Sequence, residues 1–275
     1  MSDELCRRFR DKMQSRAAPG RRPPEAPLED PEDLSGGLRV RELAHGPFPA
    51  AAALNPEFRP GTPRVRLTVD VGEDLHHRVG ALGAPERERA LRLCPGLPRH
   101  ECGDGGALHA WLRARGDLLA PGRGRPDPDP AGWAVAHLIE HVGLDLMLAV
   151  SGGDRGSGAS CAYRDRPERF DVFLEFPDPI LGRAVALLSA AAVRDLCAGR
   201  DRGVHARCRD LLRALAAGGP LQVVAEDAQR LCGWGLAEAL EALEALVRLG
   251  FLEPIPAPFT FSTATGVMFR RAASD

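Results

Sequence analysis

The spacing of apolar residues predicts four β-strands in the first 200 residues. In residues 65–71, valine and leucine alternate with charged or hydroxyl side chains, which is typical of a sheet with one covered face. Residues 38–43, 159–163 and 170–176 also predict strands, and a loop of hairpin length joins the last two. We therefore expect a sheet assembled from an early pair and a late pair of strands.

Helical patterns separate and follow these strands. Residues 132–150 are apolar nearly all round, which is typical of a buried helix. Residues 180–197 carry an alanine and leucine stripe, and Asp178 and Pro179 precede it as a capping residue and a first-turn residue. A helical crossover between two strand groups predicts an α+β fold, with a mostly antiparallel sheet backed by helices.

The distribution of apolar and charged residues also divides the chain into three regions. Residues 1–35 mix charge with proline and have no apolar period, so we expect a flexible N-terminal arm. Residues 36–199 hold the α+β pattern. Residues 200–275 contain three helical patterns and a proline-broken β segment, an order that resembles a small winged helix.

The helix of this C-terminal module that would read DNA is acidic. It carries Glu238, Glu241 and Glu244 against Arg248. A negative face opposes phosphate, so we expect no nucleic-acid partner and instead a packing or partner-binding role.

Composition narrows the function classes. The chain has 275 residues, of which 44% are hydrophobic, enough for a substantial core, and its net charge of -2 disfavours a general polyanion binder. Its seven cysteines form no CxxC pair, as expected in a reducing cytoplasm. We find no apolar signal segment and expect no membrane span, which predicts a cytoplasmic protein.

Three side chains on the buried helix suggest a metal site. His137, Glu140 and His141 are three or four positions apart and therefore project from one face. Burying two imidazoles and a carboxylate is unfavourable unless each has a partner, and a zinc ion bound by both histidines would be one. The order H-x-x-E-H is that of inverted zincins, in which the glutamate acts on water as the catalytic base.

Catalytic zinc usually has three protein ligands, so a third ligand is needed. We predict Glu175, at the end of a strand and between two apolar residues. His100 is the alternative ligand, and Cys102 lies beside it in a glycine-rich turn that would approach a metal or a peptide backbone.

A structural interpretation needs no metal. In it, His137 and His141 are core histidines that hydrogen-bond to Glu140 and Asp145. This interpretation stays open at the level of sequence.

Residues 38–198 resemble the N-terminal domain of cyanophycin synthetase, which polymerises aspartate and arginine. The resemblance depends on the order of several motifs. They are LCPGL at 93–97 with HECGDG at 100–105, WAVAHLIEHV at 133–142, Tyr163 with VFLEF at 172–176, and the helix segment 182–194. Gly103 and Gly132 stand where that domain has serine and threonine.

The resemblance implies a domain that holds an amino-acid polymer and, in some members, a metallopeptidase-like site that trims it. The ATP-grasp and Mur-ligase-like modules of the synthetase have no counterpart in this chain. We therefore expect a stand-alone zinc-dependent peptide or amide hydrolase, acting on an arginine–aspartate polymer or another peptide. The alternative is a non-catalytic module that binds a peptide, a polymer, a protein partner or a second copy of itself.

Overall fold

The computed structural model describes most of the chain in separate stretches. The described residues are 37–72, 75, 82–99, 133–153, 155–200, 203–220, 222–256 and 267–273. The predicted N-terminal arm, His100 and Cys102 lie outside them.

A four-stranded sheet forms the centre of the first part of the chain. Its strands are β1 (Leu38–Gly46), β2 (Arg64–Val71), β3 (Gly158–Ala162) and β4 (Arg169–Glu175). Their order is β1-β2-β4-β3, and every neighbouring pair is antiparallel. The β1–β2 pair and the β3–β4 pair thus form one sheet through the pairing of β2 with β4. The predicted α+β fold is confirmed.

Three helices accompany this sheet: α1 (Ala84–Leu93), α2 (Trp133–Ser151) and α3 (Pro179–Cys197). Helix α2 contacts β3 and β4, whereas α3 contacts β1 and β2, so the two helices lie side by side over one face. Asp178 accepts hydrogen bonds from the first amides of α3, as predicted for a capping residue. Helix α2, which carries His137 and His141, therefore lies over the β3–β4 hairpin.

The two faces of the sheet have different environments. In β4, Phe170, Val172 and Leu174 belong to the main hydrophobic core under the helices, and Phe173 belongs to a smaller cluster on the other side. This alternation follows from the strand period of two. The smaller cluster is formed with Phe48, Ala51, Phe58 and Ala159.

Glycine at position 143 permits close contact between α2 and β4. A Cβ atom there would lie 2.6 Å from Cδ1 of Leu174, closer than van der Waals contact allows. Glycine is otherwise unfavourable inside a helix by about 1 kcal/mol. Its presence here is explained by the short distance between the helix and the sheet.

The C-terminal part contains three helices and a second antiparallel sheet. The elements are α4 (Val204–Ala216), β5 (Gln222–Val223), α5 (Ala225–Cys232), α6 (Leu236–Arg248), β6 (Leu252–Pro256) and β7 (Val267–Arg271). The strand order is β5-β7-β6. The three predicted helices are present. The winged-helix assignment stays a prediction.

The three glutamates on α6 form ion pairs within the fold. Arg207 of α4 pairs with Glu241, and its other terminal nitrogen lies 3.7 Å from Glu238. Arg248 pairs with Glu244 one turn away on α6 itself. Arginines of the chain thus offset part of the negative charge on this helix.

Helix α2 is long and apolar enough to cross a membrane, with a mean hydropathy of 1.4, and we had expected no such segment. However, 72% of its apolar window is buried inside the protein. It packs against the sheet, α3 and α4, so its apolar character matches that of a core helix.

Asp195 connects α3 to α4. It is 3% exposed and accepts two hydrogen bonds from Arg200, and it lies 3.0 Å from Nε2 of His205. Burial by itself would raise the pKa of Asp195, but these hydrogen bonds and the charge of Arg194 lower it well below its ordinary value. The carboxylate therefore stabilises the junction in its ionised form.

We expect Asp195→Asn to lower the free energy of unfolding by roughly 2 kcal/mol at neutral pH, because charged hydrogen bonds are lost. Since the folded-state pKa is depressed, this contribution is fully present above the unfolded value of about 3.9 and decreases progressively as the pH falls from there towards the folded-state pKa. Urea unfolding of both proteins between pH 7 and 3 measures it. Asp165→Asn, in an exposed loop, is the control, with no comparable change. A pH-independent difference would contradict this assignment.

Candidate metal and catalytic site on helix α2

His137 and His141 meet on the surface of α2. Their Nε2 atoms are 2.9 Å apart, and the rings stack with centroids 4.7 Å apart at an angle of 26°. Trp133 continues the row, with its ring centroid 5.5 Å from that of His137. His141 is buried and His137 is half-buried. The predicted juxtaposition of the two imidazoles is therefore present.

The distance between the two Nε2 atoms allows two chemical states. One protonated and one unprotonated nitrogen hydrogen-bond at this distance. Two imidazoles that bind one zinc ion tetrahedrally, at about 2.0–2.1 Å each, have their nitrogens about 3.3 Å apart. A small ring movement converts the first arrangement into the second, so the pair fits a metal ion as two of its ligands. Within the described ranges, no three histidine, cysteine, aspartate or glutamate side chains form a metal-binding group.

Glu140 points towards β3. The hydroxyl of Ser160 donates a hydrogen bond of 2.8 Å to its Oε2 atom. The side chain of Glu140 fits here because residue 158 is glycine. A Cβ atom at position 158 would lie 3.0 Å from Cγ of Glu140 and 3.1 Å from the carbonyl oxygen of Phe173. The carboxylate is buried, and β3 fixes its orientation.

The prediction that Glu175 is the third metal ligand is wrong, because Glu175 lies on the other face of the sheet. It follows Leu174, whose side chain packs against α2 at Gly143, and side chains alternate along a strand. Its cross-strand partner is Arg64 of β2. The strand end was located correctly, but the side chain projects away from His137 and His141.

Glu175 instead stabilises the loop that covers this other face. Its Oε2 atom accepts a hydrogen bond of 2.9 Å from the backbone amide of Arg59 and lies 3.9 Å from the guanidinium of Arg64. Arg64 is fully buried and donates to the carbonyls of Pro47 and Arg59. This buried group of charges is structural.

Asp145, a partner of the histidines in the metal-free interpretation, lies beside Cys94. Burial, and next the negative charge of Asp145, raise the pKa of the Cys94 thiol well above its ordinary value. The thiol also donates to the carbonyl of Val142 at 3.8 Å. Cys94 is therefore a neutral core residue rather than a reactive thiolate.

Sequence reasoning missed Ser160 and Gly158. Neither belongs to a motif, and both are distant from Glu140 along the chain. The small side chains of β3, in the order GASCA, were the one available signal, since they permit a helix to lie close to the strand. Only the packing of α2 on β3 shows which of them contacts the acid.

Neither the known family models nor the curated proteins contain a match to the chain.

We expect Glu175→Gln to leave the zinc content of the purified protein unchanged, because this side chain faces away from the histidines. The variant should lose about 1–3 kcal/mol of stability, since Arg64 remains buried without its ionised neighbour. Elemental analysis and urea unfolding measure the two effects. Glu168→Gln, at an exposed position, is the matched control for both. Loss of zinc from Glu175→Gln would restore Glu175 as a ligand.

Proposed function

We propose that this protein is a zinc-dependent peptide or amide hydrolase, in which His137 and His141 hold the metal and Glu140 is the general base. One observation carries the proposal. The two Nε2 atoms converge to 2.9 Å on the helix face that also holds a buried carboxylate.

The donor set suits a divalent transition metal. Two neutral imidazoles are ligands that zinc favours, and a cation beside them compensates for the burial of Glu140. When bound, zinc would polarise the scissile carbonyl and acidify a water molecule, lowering its pKa from 15.7 towards about 7.

Glu140 would transfer the proton. Its carboxylate would accept a proton from the attacking water and release it to the departing amine nitrogen, which regenerates the carboxylate. The hydrogen bond from Ser160 supports this role, because it holds the carboxylate in one orientation on α2. General bases of this kind contribute about 10²–10⁴-fold to the rate.

With Glu175 on the other face, His100 becomes the third ligand in this proposal. His100 and Cys102 lie outside the described residues. The three residues that precede His100, Leu97–Arg99, form a short 3-10 helix that contacts α2, and Leu97 is fully buried. This contact supports the choice of His100.

The substrate class follows from the resemblance to the cyanophycin synthetase domain. We propose an arginine–aspartate polymer or another peptide as substrate and a cytoplasmic location, with no nucleic-acid or membrane partner. A protein partner or a second copy of the chain would bind as an accessory.

The second candidate function is a non-catalytic module that binds a peptide or a partner. It is favoured by burial, since His141 is 2% exposed and Glu140 is 8% exposed. In that case the histidines and the glutamate would form a closed polar network that supports a recognition surface.

Metal analysis combined with peptide hydrolysis tests the proposal. Protein purified without a histidine tag should contain about one zinc per chain. His137→Ala and His141→Ala should lose both zinc and activity, because each removes a ligand. Glu140→Gln should retain zinc and lose about 10²–10⁴-fold in kcat, because it removes the base alone.

The control is His45→Ala, because His45 lies on β1, at the edge of the sheet opposite β3, with its Nε2 atom 2.9 Å from the carbonyl of Phe176. It should retain zinc and activity. A metal-free chain with unchanged stability would favour the binding module, and full activity in Glu140→Gln would contradict the mechanism.

A further inference from the structure

The hydrogen-bond pattern of β3 shows which of its backbone groups point away from the sheet. The amide of Glu175 donates to the carbonyl of Ser157, and the amide of Tyr163 donates to the carbonyl of Arg169. In an antiparallel pair, alternate residues bond to the partner strand. The even-numbered residues between these two bonds, including Ser160, therefore direct their amide and carbonyl groups outward.

Strand β3 lies at the edge of the sheet, and no strand in the described part of the chain pairs with its outer side. Its sequence, GASCA, has no charged residue and no proline. Proteins usually protect an edge of this kind with charges, proline or a bulge, because it invites pairing with another strand.

The opposite edge of the same sheet has such protection. Strand β1 carries Arg39, Arg41 and Glu42, and its pairing with β2 is interrupted between Val40 and Glu42. The two edges of the sheet thus differ, and β3 is the one whose residues permit pairing with a further strand.

One end of this edge is already in use. The side-chain amide of Asn55 donates a hydrogen bond of 2.7 Å to the carbonyl of Gly158. Within the described residues, the outward groups of Ser160 and Ala162 have no main-chain partner, which is enough for a short segment of two to four residues.

The same strand contacts the proposed base. Ser160 turns its hydroxyl towards Glu140, at 2.8 Å, and its backbone outward. An extended peptide paired with Ser160 would thus run alongside the strand that orients the base.

We propose that the outer edge of β3 binds the substrate peptide as an added β-strand, through its main chain. This inference depends on the proposed hydrolase function and specifies how the substrate is held. Main-chain pairing provides affinity with little side-chain selection, so the substrate is an extended peptide of small or flexible sequence.

A second copy of the chain fits the edge less well. Strand β3 is about 17 Å long, and Asn55 occupies one end of it. Stable dimers bury about 800 Å² on each partner, far more than two or three paired residues supply.

The test uses the full chain with Glu140→Gln, so that the peptide is not cut. The probe is an acetylated and amidated hexapeptide of alternating alanine and serine, titrated while the protein amides are followed by NMR. The amides of Ser160 and Ala162 should shift with a common dissociation constant. Methylating every second peptide nitrogen should preserve binding, since one edge of the peptide remains free, and methylating all of them should abolish it.

A variant provides a second arm. Ala162→Pro removes an outward amide at an exposed position, where proline is tolerated on an edge strand, and should weaken binding about fivefold or more. Ala162→Val keeps the amide and is the control. If Ala162→Pro does not fold, the methylated peptides still decide the question.

The outcomes separate the two proposals. Equal binding of the fully methylated peptide, no shift at Ser160, or self-association through β3 would overturn edge binding. Hydrolysis by the wild-type chain alongside such a result would leave the proposed function intact. Edge binding in a chain that contains no zinc and cuts no peptide would overturn the hydrolase alone.

Discussion

Close contact between α2 and the β3–β4 hairpin is the constraint on which the rest of the structure depends. Gly143 brings the helix against Leu174, and Gly158 leaves space for Glu140. Any side chain larger than hydrogen at either position would meet a neighbouring atom within about 3 Å. Because the helix lies this close, an acid one position before His141 contacts a serine on the strand. The arrangement of the site is thus a consequence of packing between a helix and a sheet.

The alternation of side chains along β4 places Glu175 on the face of the sheet opposite the candidate site. Glu140 and the histidines lie on the helix side, where they form the candidate site. Glu175 lies on the other side, where it stabilises the covering loop together with Arg64. The two buried carboxylates therefore have different roles, and a shift of one residue in the register of β4 would turn Glu175 towards the helices.

Strand β3, which contacts the candidate site, lies at an edge of the sheet. The sheet order places β3 outermost, beside the helix that carries the proposed ligands. Its small side chains permit α2 to lie close to the sheet, and none of the described strands pairs with its outer side. Strand β1 at the far edge carries charged side chains and an interrupted register.

The sequence by itself determined the α+β fold, four strands to within three residues, and the shared face of His137 and His141, because periodicity and helical spacing are local properties. It also determined the cap at Asp178. Only the tertiary structure decided the face on which Glu175 lies, the contact between Ser160 and Glu140, and the junction at Asp195. These depend on register and on contacts between residues distant along the chain, which no local pattern specifies.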